Sequence, residues 1–250
     1  MHVKDESAFA YVNLAKSCIE ECAAFAAEID LDLASGFDIM EIFRMRGDKR
    51  LESFYSKKRY QKIRRRILKA FDLDIAGFAN LVPMFAINAV SEKLLSKGNP
   101  LPLDLTLWMH AKRNQKYCFG VENFQEHYEV LHIIPYEYQA AQLYALSKNV
   151  SAVHKEIKAI TKAYKNSDIK KIYKKAKTSL GSMRGIMLYD RNDIIANKIM
   201  DTTDKGKLFC AVGAAHLYGK NGIIAQLKRN NYKVKAISLQ ENTEEEVIYN

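Results

Sequence analysis

Six positions carry side chains whose types could do chemistry together. His216 follows Gly213, Ala214 and Ala215 at the end of the apolar run 208–212, and His2 stands just ahead of a helical pattern. Glu28 falls among apolar neighbours in 25–31, Glu122 ends the run 117–122, and Arg191 with Asn192 lies near the start of another helical pattern. Imidazoles and carboxylates transfer protons near neutral pH and ligate divalent cations; mixed nitrogen and oxygen donors suit manganese, cobalt, iron or zinc. An arginine adds a rigid fork for a carboxylate or for negative charge developing on a substrate. Taken singly, each residue has a plainer reading: a turn histidine, an edge-strand glutamate, a carboxylate at a helix N-terminus, a surface ion pair.

The elements that must position them are legible as patterns. Leu208, Phe209, Cys210, Ala211 and Val212 read as a buried strand broken by Gly213, then a turn, a helix over about 221–229, and a last strand carried by Tyr232, Val234 and Ile237. A strand ending at Gly213 puts His216 at its carboxyl edge, where open α/β sheets bind ligands. Phe9, Val12, Leu14 and Ile19 predict an amphipathic helix over 6–22, capped by Asp5 or Ser7. Residues 36–99 read as a helical insertion in which Asn80, Pro83, Met84 and Phe85 line or cover a pocket. A helix opening near Asp104 leads into the strand before Glu122, another spans 124–132, and long helices fill 135–180. The fold class expected is α/β: a central sheet of few strands flanked by many helices, in a single domain.

Composition narrows the partners. The chain has 250 residues, four prolines and a net charge of +10, which suits one folded α/β domain or two intimately packed halves. Much of the charge falls in 57–69 and 155–177. In the second stretch Lys155, Lys158, Lys162 and Lys165 recur at helical spacing, the mark of a solvated face. In the first, Lys58, Lys62, Arg65 and Lys69 form a stripe without a recognition motif or an aromatic platform, so specific nucleic-acid binding is not expected. Cys18, Cys22, Cys118 and Cys210 read as small core residues in a reducing compartment. The longest apolar stretch, 75–90, is interrupted by Asn80, Pro83 and Asn88 and is too short to span a bilayer. His110, His127, His132 and His154 have no matching partner pattern and read as surface or core-edge residues.

Gly213-Ala214-Ala215-His216-Leu217, with Gly222-Ile223-Ile224 and Tyr232-Lys233-Val234 after it, resembles the carboxy-terminal signature of the TraB/GumN family, which includes PrgY and the TIKI metalloproteases. Gly120-Val121-Glu122-Asn123 is similar to the family's G-[LV]-E-[TS], and Gln125-Glu126 to the helix after it. Arg191-Asn192 matches an R-N pair in the helix before the last motif. Met1-His2-Val3 resembles the first signature, G-T-[IM]-H-[VL], entered in its middle. That implies a first strand upstream of Met1. The compartment is cytoplasmic as written, with any export signal in that upstream part, and a sheet edge left unpaired would favour a homodimer.

The resemblance implies an erythromycin esterase/ChaN-like fold of two βα-type halves and a metal-dependent hydrolase of the TIKI peptidase kind. In that reading His2 and His216 with Glu28 or Glu122 hold a divalent ion, the remaining glutamate is the general base, and Arg191 stabilises the oxyanion. Gly213, Asn192 and Asp30 support them, and the substrate is a peptide or small acyl compound. The alternative from the same family is a protein that binds a peptide or haem without turning it over.

Overall fold

The computed structural model describes residues 6–34, 36–95 and 98–237. Helices dominate. In chain order they are α1 (Val12–Glu20), α2 (Leu31–Ala34), α3 (Ile39–Ile42), α4 (Lys57–Phe71), α5 (Pro83–Leu94) and α6 (Leu103–Arg113). Then come α7 (Phe124–Ile133), α8 (Tyr136–Lys148), α9 (Val150–Lys165), α10 (Ile169–Leu180), α11 (Asp190–Thr203) and α12 (Ile223–Arg229). Three four-residue strands, β1 (Ala24–Ala27), β2 (Tyr117–Gly120) and β3 (Leu208–Ala211), form one sheet of order β2-β1-β3.

Both pairings are parallel and flush: Ala27 lies opposite Gly120 on one side and Ala211 on the other. Parallel strands need long crossovers, and here helices supply them and cover both faces. The two-residue alternation of a strand sorts the side chains. Phe25 and Ala27 face α1 and α6, packing with Ile19, Leu107, Trp108 and Ala111. Ala26 faces the other way, onto Ile195 and Ala196 of α11 and Ile223 of α12. Phe25 anchors the first layer, edge-on to Trp108 at 6.0 Å and stacked on Phe209 at 5.7 Å.

A second core lies within the helical segments. Tyr60, Ile63, Ile67 and Phe71 recur along α4 and bury against Ile75, Ala86, Val90 and Leu143. Lys58, Lys62, Arg65 and Lys69 point outward from the same helix. Ser56 caps its start by accepting from Arg59 N, and Asp72 closes it in the left-handed conformation at φ 50°.

Three expectations need correcting. The helix predicted over 6–22 is interrupted, because Tyr11 leaves helical geometry and its hydroxyl reaches Ser167 Oγ at 2.8 Å. Residues 232–237 form no strand: Tyr232 and Val234 are half-buried and their neighbours exposed, so the alternation persists without a ladder partner. Met84 and Phe85 pack against a core of Met45, Val82, Leu131 and Tyr136, and Pro83 is buried, while Asn80 accepts a hydrogen bond from Arg50 at 3.2 Å. The cleft beside them, about 590 Å³, is lined instead by Phe37, Ile42, Met45, Phe124 and Tyr128 among others.

Candidate active site

The carboxyl ends of the three strands converge on one cluster. Glu28 follows β1 directly, and Glu122 and Gly213 each lie two residues beyond the ends of β2 and β3. The chain holds these ends together closely. A Cβ on Gly120 would stand 2.4 Å from Asp30 N, so only glycine lets β2 pass the turn after Glu28. Glu122 N donates to Glu28 O at 2.9 Å, extending the ladder to the two glutamates themselves.

Arg191 joins both carboxylates. Its Nε donates to Glu122 Oε1 at 2.7 Å and its Nη2 to Glu122 Oε2 at 2.6 Å, a bidentate fork; Nη2 also reaches Glu28 Oε2 at 3.0 Å. The remaining Glu28 oxygen, Oε1, accepts from Gly213 N at 2.7 Å. The pair is well shielded, with 4% of the Glu122 side chain and 14% of the Arg191 side chain exposed. Burial pushes the Glu122 carboxyl pKa up, but the hydrogen bonds from Arg191 and His127 outweigh it and hold the group down at about 2. Glu28 is also lowered: burial opposes its charge and is outweighed by His216, Arg191 and the Gly213 N–H.

A five-residue π-helical turn, Gly185–Tyr189, leads into α11 just before Arg191. Such turns often mark functional sites, because the extra residue changes which side chains face inward. Here Arg191 reaches Glu28 and Glu122 beyond the strand ends, and the fully buried Asn192 meets His216.

Asn192 fixes the protonation of His216. Its Nδ2 donates to the Asn221 carbonyl at 2.7 Å, which turns Oδ1 toward His216 Nδ1 at 2.6 Å. An amide oxygen only accepts, so His216 carries its proton on Nδ1 and keeps a lone pair on Nε2. Burial lowers the His216 pKa, so the ring is neutral at pH 7. Gly213 sits between this ring and Glu28: a Cβ there would meet Glu28 Oε1 at 3.1 Å and His216 Cδ2 at 3.5 Å.

A model of the TraB/PrgY/gumN family matches residues 1–236, almost the whole chain. The chain belongs to that family. No curated protein and no solved structure matches it.

Within this TraB/PrgY/gumN chain, the structure brings together Glu28, Glu122, Arg191, Asn192, Gly213 and His216. His2 lies outside the described residues. Asp30 is turned elsewhere: its Oδ1 accepts from Asp32 N at 2.9 Å and Leu33 N at 3.1 Å, capping α2.

His127, read from sequence as a surface or core-edge residue, belongs to the site. Its Nδ1 lies 3.1 Å from Glu122 Oε2 and 3.3 Å from Arg191 Nη2. The carboxylate can only accept and the guanidinium only donate, so that nitrogen satisfies one of them at a time. The available signal was its place on the first turn of the helix that follows Glu122. Asn123 caps that helix, accepting from Gln125 N at 2.9 Å and Glu126 N at 3.2 Å.

One ligand atom from each of Glu28, Glu122 and His127 lies within 4.8 Å of the other two. Two carboxylates and an imidazole at that separation fit a divalent ion of the manganese, iron, cobalt or zinc type. His216 is not a member of that close group.

Proposed function

We propose that this chain is a metal-dependent hydrolase acting on a peptide or related acyl substrate. The observation that carries the reading is the convergence of Glu28, Glu122 and His127 beside a neutral, oriented His216. Glu28, Glu122 and His127 would hold the ion, which when bound lowers the pKa of water and polarises a carbonyl.

The chain's own residues do the rest. His216 Nε2 is the general base that takes a proton from water, and Asn192 keeps the opposite nitrogen protonated as the charge on the ring rises. Burial lowers the His216 pKa from its ordinary value, which favours the unprotonated ring that a base needs. Before an ion binds, Arg191 holds the two glutamates in register through three charge-assisted bonds, and its positive charge beside the site favours anionic species formed there.

One observation favours the family's other reading, a binding protein without turnover. All four carboxylate oxygens of Glu28 and Glu122 have a partner inside the chain, so the cluster is neutralised in part by Arg191 alone. Metal content by mass spectrometry, with hydrolysis of a peptide mixture under manganese, cobalt, iron and zinc, separates the two. A hydrolase retains stoichiometric metal and loses turnover in His216→Ala. Turnover absent under every ion, alongside tight peptide or haem binding, would replace this reading with the binding one.

A further inference from the structure

Arg191 stands where a cation is needed. Glu28 and Glu122 present two carboxylates to one small space, and burial disfavours two such charges without a counter-charge. The guanidinium supplies it, taking both oxygens of Glu122 and one of Glu28. Its remaining contacts are weak: Met187 O at 3.5 Å and the His127 nitrogen at 3.3 Å. A divalent ion bound by Glu28, Glu122 and His127 would draw on the same carboxylate oxygens from within a few ångströms of the guanidinium. In a shielded site, that places two cations in strong mutual repulsion.

We infer that Arg191 is the resident counter-ion of this site, and that a divalent ion gains Glu122 by displacing the guanidinium from it. The arginine therefore sets the metal affinity and keeps the carboxylate pair folded when no ion is bound. Two arrangements of one side chain follow, one clasped to Glu122 and one released from it. This rests on the metal-dependent reading above and concerns the regulation of the same site.

The test is a titration of the purified chain with zinc alone and with manganese alone, followed by calorimetry. Arg191→Met keeps length and removes the charge, so it should bind each ion at least about tenfold more tightly than the natural chain. Arg191→Lys, which keeps the charge without the fork, should stay near the natural affinity. Equal or weaker binding by Arg191→Met would overturn the inference and show the arginine to be a support for the ligands, while leaving the hydrolase reading intact. Absence of binding by every form would remove both.

Should Arg191→Met fail to fold, the natural chain still decides. Its Arg191 Nε–H, hydrogen-bonded to Glu122, gives a protected side-chain signal in nitrogen-15 NMR. Saturating zinc should shift that signal and expose it to solvent exchange. A signal unchanged at full zinc occupancy would refute the displacement.

Discussion

Replacing Glu122 by glutamine keeps the side-chain volume and removes the charge that Arg191 clasps. The folded carboxyl sits at about 2 against an ordinary value of 4.5. At about 1.4 kcal/mol per pH unit this depression is worth about 3.5 kcal/mol. Removing one partner of a buried ion pair costs about 3–5 kcal/mol, and because Glu28 still contacts Arg191 the lower end applies; the two routes agree. The sign follows from the depression. The stabilisation is present in full above the unfolded value and is lost as pH falls toward the folded one. Glu122→Gln should therefore be about 3.5 kcal/mol less stable at pH 7, and the gap should close as the pH falls from 4.5 toward 2. Urea unfolding followed by circular dichroism, in a chelator and at a series of pH values, measures that gap directly. Other carboxylates titrate in both proteins and cancel in the difference. A gap that persists unchanged into acid, or is absent at neutral pH, would refute the ion-paired assignment.

Further outcomes follow from the same geometry. Gly120→Ala forces a methyl against Asp30 N at 2.4 Å and should lower stability by about 1–3 kcal/mol, whereas Gly77→Ala, with nothing within 4 Å, should not; thermal unfolding compares them. Asn192→Asp places an anion against His216 Nδ1 and should raise the histidine's pKa by about one unit or more, read from ring-proton NMR; an unmoved titration would sink the proposed tautomer. Gly219→Ala should destabilise the His216 loop, because the backbone there has φ +102° and a Cβ would strike the Tyr173 ring at 2.6 Å. Limited proteolysis of the loop would report it.

Much of this architecture was legible in the residues for identifiable reasons. Helix α4 announces itself because Tyr60, Ile63, Ile67 and Phe71 follow the helical period and nothing contradicts it. Glu122 and Gly213 could be placed at strand ends because short apolar runs stop at them, whereas Glu28 reads as lying within a strand over 25–31 that the structure ends at Ala27. What stayed hidden was mutual placement. Arg191 meets Glu122 across 69 residues of chain, and no local pattern encodes such a meeting. His127 was missed because a single histidine in the first turn of a helix has many ordinary uses, and only the folded contact of its Nδ1 with Glu122 Oε2 marks it out. Residues 232–237 misled for the converse reason, since alternation supplies a strand's faces without supplying a partner for its hydrogen bonds.

The flush three-stranded sheet also bears on how the molecule comes to be folded. Its middle strand is the first made, and both neighbours arrive much later in the chain, so Ala27 waits for Gly120 and then for Ala211. Closing such long loops is slow, while the helices between them can form locally. During synthesis the α4–α5–α8 core is therefore complete before the last strand emerges. The cluster that joins all three strand ends is then completed last, so an unfinished chain holds a helical core but an incomplete cluster.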